Sequence, residues 1–252
     1  MLSPFPTGFI APGATPFYSS TTLASFSANA IEDIAVHPTT GDIYIADGLN
    51  NRIRRITPAG VSSIFAGSGS ATTTDGTGLA AAFNYPGAIA FNAAGDKLYV
   101  GESFGYVIRE ISVPGAVVTT LAGLAGVPGD VNGTGSAARF QRPTGITVDS
   151  SGVLYVCDFL AHKIKRVTAA GVVTTYAGNG TPGNLNNANP LLAGFNGPFK
   201  CSVSSLGELY VTCFTDPAFK RIAPGPGAVT DYSAVPIFGY TDGTILSAKY
   251  SF

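Results

Sequence analysis

Short apolar runs of four to six residues, rich in Val, Ile, Tyr and Thr, recur along this chain between clusters of turn residues. Between Gly145 and Gly178 the runs "GITVD", "VLYVCD", "IKRVT" and "VVTTYAG" follow one another, with apolar and polar positions alternating as in half-buried strands. An aromatic residue marks the start of each set: Phe26, Phe83, Phe140, Phe195 and Tyr250 recur with steps of 57, 57, 55 and 55. After the first four markers the first run reads "DIAVH", "AIAFN", "GITVD" and "KCSVS", and the second reads "DIYIAD", "KLYVGE", "VLYVCD" and "ELYVTC". The third reads "IRRIT", "IREIS", "IKRVT" and "FKRIA", and the fourth "VSSIFAG", "VVTTLAG", "VVTTYAG" and, more loosely, "AVPIFG".

Four strands per unit follow, with "TTGD", "AAGD", "SSGV" and "SLGE" as hairpin turns between the first and second. A lone four-stranded unit cannot bury both faces, whereas radial repetition packs each sheet between neighbours. The pattern predicts an all-β propeller of four-stranded antiparallel blades. Residues 1–25 form an N-terminal segment, and the units span 26–82, 83–139, 140–194 and 195–249, with another beginning at 250. Within the first segment "TTLA", Thr21 to Ala24, matches the last strand of a preceding unit. The array is thus entered late in one repeat and left early in another. Its ring is expected to be completed by further sequence or by a strand from a neighbouring copy, because unpaired strand edges recruit partners.

These residues resemble the NHL-repeat propellers, whose unit runs Pro, a spacer, Gly-Ile-x-Val-Asp, a turn, Leu-Tyr-Val-x-Asp, then Asn-His-x-Ile. The third copy is the nearest match: Pro143, Gly145, Ile146, Val148 and Asp149, then Leu154, Tyr155, Val156 and Asp158, then Ala161, His162, Lys163 and Ile164. The first copy is similar through Ile43, Tyr44, Ile45, Asp47, Asn50, Asn51, Arg52 and Ile53. In the fourth, Cys213 stands where Asp47, Glu102 and Asp158 stand elsewhere, and Pro217 replaces the His or Asn, so local distortion is expected there.

Composition narrows the function. With 14 basic and 15 acidic residues the chain has no basic field to hold nucleic acid, and no apolar run reaches the ~20 residues of a membrane-spanning helix. The N-terminus lacks a basic region and carries prolines through its apolar stretch, so it does not read as a signal peptide. Three cysteines, Cys157, Cys201 and Cys213, read as buried free thiols rather than a disulfide framework.

Some NHL-type relatives are lyases, and that resemblance implies a metal held by several His near the channel. His37 and His162 are the only histidines and occupy non-equivalent positions, so such a site cannot be assembled within one chain. The matched acids Asp47, Glu102 and Asp158 face matched bases, Arg54, Arg109, Lys165 and Lys220, and read as cross-strand pairs stabilising the sheet or its surface. "AGSGS" has no following Lys and reads as a plain loop rather than a phosphate cradle.

Eight residues before each marker stand Asp75, Asn132, Asn187 and Asp242, three of them followed by Gly, which predicts tight turns with positive φ in loops on one face of the disc. The following "LAAAF", "SAARF", "LLAGF" and "LSAKY" each suit one helical turn. These loops are the candidate contact points. Asn132 and Asn179 open Asn-Gly-Thr sequons and are candidate glycosylation sites in an extracellular or cell-surface setting. Two functional readings stand beside a third, ligand binding in the central channel, whose lining side chains sequence alone does not set. One is a non-enzymatic module without a cofactor that binds protein, including identical copies assembled into a polymer or scaffold. The alternative is a lyase- or lactonase-like enzyme with Ca²⁺ at the channel mouth.

Overall fold

The computed structural model describes residues 31–215, 219–225 and 227–232. Phe26, Tyr250, Asp242, Pro217, the "TTLA" strand and "AVPIFG" lie outside them. The fold is an all-β propeller. Blade 1 consists of β1 (Ile31–Val36), β2 (Ile43–Asp47), β3 (Arg52–Ile56) and β4 (Ser62–Ala66). A two-residue strand β5 (Gly76–Thr77) precedes blade 2, β6 (Pro86–Phe91), β7 (Lys97–Glu102), β8 (Val107–Ser112) and β9 (Val117–Gly123). Likewise β10 (Gly133–Thr134) precedes blade 3, β11 (Pro143–Val148), β12 (Leu154–Asp158), β13 (Lys163–Val167) and β14 (Val172–Ala177). Blade 4 is β15 (Pro198–Val203), β16 (Leu209–Cys213), β17 (Lys220–Ile222) and β18 (Val229–Asp231). Every pairing within a blade is antiparallel and between neighbours in sequence. Among the described residues the fourth strand of blade 4 is Val229–Asp231, where the sequence suggests the "AVPIFG" run that lies outside them.

The first strands β1, β6, β11 and β15 pack against one another in succession and line the middle of the disc. Three apolar layers lie between successive blades, and each takes one marker: Phe83 between blades 1 and 2, Phe140 between 2 and 3, Phe195 between 3 and 4, all fully buried. That is why the marker recurs once per blade: it fills the wedge between two twisted sheets.

The hairpin turns behave as expected, with Gly41, Gly95, Gly152 and Gly207 all at positive φ. The repeated "AG" ending the fourth strands has a different cause. A Cβ on Gly67, Gly123 or Gly178 would stand 2.5–2.6 Å from the carbonyl oxygen of Asn51, Tyr106 or His162, so the backbones of two strands meet there. Those three residues are themselves in the left-handed region, at φ 54, 61 and 53.

The loops before Phe83 and Phe140 differ from the expectation, and the one at Asp242 lies outside the described residues. Gly76 and Gly133 do not form positive-φ turns; they pair as short fifth strands with β9 and β14, and positive φ falls two residues later at Gly78 and Gly135. Each loop is thus hydrogen-bonded to the outermost strand of the blade that follows it. The single helical turns form as 3₁₀ segments at Gly78–Ala80, Gly135–Ala137 and Pro190–Leu192.

Candidate functional site

The matched acids and bases are not surface pairs. Asp47, Glu102, Asp158, Arg109, Lys165 and Lys220 are all essentially inaccessible. The side chains of Asp47 and Arg54 pair at 2.6 Å, and Arg109 pairs with Glu102 in the same way. Arg109 also donates to the carbonyls of Ala82 (3.1 Å) and Thr74 (3.0 Å) and to Asp75 (2.7 Å), binding the preceding loop to its own blade. Burial pushes Glu102 above the ordinary carboxylate range, against the pull of the Arg109 guanidinium.

Blade 3 divides these tasks differently. Lys165 is bonded to Asp130, and also donates to Asn132 Oδ1 (3.2 Å) and Thr175 Oγ1 (3.3 Å). Burial raises the Asp130 carboxyl, but the ammoniums of Lys163 and Lys165 outweigh it and leave the group below its ordinary value. In blade 4, where Cys213 replaces the acid, Lys220 finds Asp231 (2.8 Å) on β18 and Asn186 (3.0 Å). The strand order of that blade is undisturbed.

Asp75, Asn132 and Asn187 therefore sit at the outer edge, Asp75 and Asn132 holding cations and Asn187 bridged to Val229 through its backbone. Asn132 and Asn179 are exposed; Asn179 Oδ1 accepts from the Thr181 N–H at 2.8 Å. Both histidines are structural: His37 Nδ1 accepts from the N–H groups of Thr39 and Thr40, and His162 Nδ1 from that of Gly197. Cys157, Cys201 and Cys213 are free thiols, two of them buried. Among the described residues no group of three or more His, Cys, Asp or Glu side chains is placed to hold a metal ion, and no helix is long and apolar enough to cross a membrane.

The motif positions also explain how one face is built. Asn51 Oδ1 accepts from the N–H of Tyr85 at 2.9 Å and His162 Nδ1 from that of Gly197 at 3.1 Å, so each latches the entry of the next blade just before its proline. Between blades 2 and 3 the equivalent residue is Tyr106, which has no such acceptor. There the Ser103 hydroxyl makes the link, donating to the Pro143 carbonyl at 2.8 Å, while Asp158, within blade 3 itself, accepts from Arg142 N (2.7 Å) and Gln141 N (3.0 Å).

On this face, where first strands begin and second strands turn into third, aromatic rings alternate with a cation. Tyr85 packs on Phe104 (4.7 Å between centroids), and the Arg142 guanidinium lies over Phe104 (5.2 Å) and Phe159 (5.5 Å). Phe159 meets Phe199 and Phe214, the latter 69% exposed, and Leu49 and Leu160 stand exposed on the neighbouring turns. Tyr85 holds an unfavourable φ of 59 and donates its hydroxyl to Glu32, a bond that, with burial, pushes the phenol up to about 12. At the centre Lys200 reaches from β15 to Asp33 on β1 (3.0 Å) and to the Gly87 carbonyl on β6 (3.0 Å), joining three inner strands.

Sequence reading missed this strip, because its members are the positions where the repeats disagree. Gly48, Ser103, Phe159 and Phe214 are equivalent, as are Tyr85, Arg142 and Gly197. That variation at turn positions within otherwise concordant repeats was the available signal.

Comparison with known proteins agrees with this architecture. Residues 140–166 match the NHL repeat model. NHL repeat-containing protein 2 of Homo sapiens is 33% identical over 127 residues, covering 47% of this chain and 18% of that protein. The chain thus spans under a fifth of that relative's length. Among solved structures, an auxiliary nutrient binding protein from Bacteroides ovatus superposes with a TM-score of 0.57 at 22% identity, covering 73% of this chain and 46% of that one. A streptogramin B lyase superposes with a TM-score of 0.57 at 16% identity, covering 82% and 56%. At these identities the structural likeness is one of fold.

Proposed function

We propose, for a chain that belongs to the NHL-repeat β-propellers, that it works as a non-enzymatic module binding a protein through the face that carries Phe104, Arg142, Phe159 and Phe214. The observation that supports this is the contiguous aromatic and arginine strip itself. Such residues are enriched at the cores of protein interfaces and dominate their energetics, while fold alone does not decide among the activities propellers host. The opposite face is built differently. Its turn side chains are engaged with their own turns: Asp149 accepts from Ser151 and Val153, Asn92 from Gly95 and Lys97, and Ser204 from Leu206 and Glu208.

A photo-cross-linking residue at Phe214 is expected to capture a defined partner, and one at Leu206 on the opposite face to capture none. Equal capture from both faces would overturn the proposal. In its wider form the module acts in an extracellular or cell-surface setting, in keeping with the two exposed sequons, and its partner includes identical copies that build a scaffold. Light scattering then gives a mass that rises with concentration; a constant mass equal to that of one chain rejects self-assembly.

A further inference from the structure

We infer that the partner bound by this face presents an acidic segment, and that Arg142 is the residue that receives its carboxylate. The inference rests on the proposal that this face binds protein, and supplies the chemistry of the contact. Arg52, Arg55, Arg109 and Arg142 each have a buried Nε without a hydrogen-bond partner among the described residues. The first three spend their terminal nitrogens within the fold: Arg52 on the Ser68 carbonyl, Arg55 on Asp42, Arg109 on Glu102, Asp75 and two carbonyls. For Arg142 the described residues supply two aromatic faces and no carboxylate.

The Phe104 and Phe159 rings, 5.2 and 5.5 Å from its Cζ, restrict the Arg142 guanidinium, and the hydrogen bond from Arg142 N to Asp158 fixes its backbone. A planar, pre-oriented fork of N–H donors is matched by a carboxylate, which it binds through two parallel charge-assisted hydrogen bonds. The other charged groups of this face are already engaged. Lys200 is held by Asp33 and the Gly87 carbonyl, and the Glu32 carboxylate is held by the Tyr85 hydroxyl. With a net charge of −1 the chain exerts no long-range attraction on acids, so recognition depends on this local fork.

The test is a titration of the isotope-labelled chain with a capped hexaglutamate peptide, following the Arg142 Nε–H resonance, with capped hexaglutamine as control. Hexaglutamate is expected to shift that resonance saturably and hexaglutamine to leave it unmoved. Arg142→Lys keeps the charge but loses the fork, and is expected to weaken binding about tenfold, one charge-assisted hydrogen bond's worth. Arg142→Gln should abolish it while the circular dichroism melt stays unchanged. An unmoved Arg142 resonance, an equal response to hexaglutamine, or undiminished binding in Arg142→Gln each overturns the inference. If the partner captured at Phe214 is retained while hexaglutamate neither binds nor competes, the acidic segment is refuted and protein binding at this face stands. Loss of face-selective capture refutes the underlying reading as well.

Discussion

Arg109→Met is expected to lower the melting temperature on the order of 10 °C. Arg109 is wholly buried between blades 1 and 2 and carries Glu102, Asp75 and the carbonyls of Ala82 and Thr74. Removing one member of a buried ion pair costs about 3–5 kcal/mol because the other charge is stranded, and in a chain of this size each kcal/mol moves the midpoint by about 2–4 °C. Asp75 is half-exposed and rehydrates, so the penalty falls on Glu102. Adding Glu102→Gln should recover about half of the loss, since the amide oxygen still accepts from the Asn84 N–H that Glu102 now serves, without a buried charge. The surface pair of Lys97 and Glu110 provides the contrast: Lys97→Met should cost under about 1 kcal/mol. A calorimetric scan in which Arg109→Met and Lys97→Met lose the same small amount would remove the claim that these buried columns hold the blades together.

The strands were legible because their cause is local. Alternation in "VLYVCD" or "IREIS" places one set of side chains on each side of a sheet that is covered on both, and the Gly of "TTGD" and "AAGD" supplies the positive φ that its turn requires. The markers were legible as a period, though not as a mechanism: only packing shows that Phe83, Phe140 and Phe195 are wedges between blades.

Other features depend on neighbours far along the chain. Each first strand shifts register against the second at one position, between Ile31 and Asp33, Pro86 and Ala88, Pro143 and Gly145, and Pro198 and Lys200. Blades 1 to 3 shift again just before Arg54, Arg109 and Lys165. A bulge re-aims the side chains around it, so a strict two-residue count across such a position loses the face on which they lie. The loops at Asp75 and Asn132 likewise read as free turns because their partners, β9 and β14, lie some forty residues onward. The aromatic strip was hidden for the opposite reason: its residues differ between repeats, and self-similarity marks only what recurs.

Acidification should stabilise the wild-type chain relative to Asp158→Asn. Asp158 is buried with no direct cationic partner among the described residues, since Lys165 turns to Asp130 instead, and burial pushes its carboxyl up to about 6 against the pull of the N–H groups of Arg142 and Gln141. Between the ordinary value of 3.8 and about 6 the folded chain keeps a proton that the unfolded chain releases. The contribution of Asp158 to stability is therefore lowest above pH 6, rises as the pH falls to about 4, and is flat below, a span of about 3 kcal/mol. The amide introduced by Asp158→Asn has no proton to exchange, so the midpoint difference should move toward the wild type by on the order of 6 °C between pH 7 and pH 4. Asp42, Asp130 and Asp149 lie below their ordinary value and lose their contributions as the pH falls further, but they are common to both chains and cancel in the difference. A difference that stays constant, or that moves toward Asp158→Asn on acidification, would mean that the backbone N–H groups outweigh burial and Asp158 is an ordinary ionised anchor. The protonated acid has one oxygen turned donor and so serves the two N–H groups less well than the carboxylate. The same titration thus reports how firmly the Arg142 backbone is held at the entry of blade 3, which Tyr106 of blade 2 does not latch as Asn51 and His162 latch the entries of blades 2 and 4.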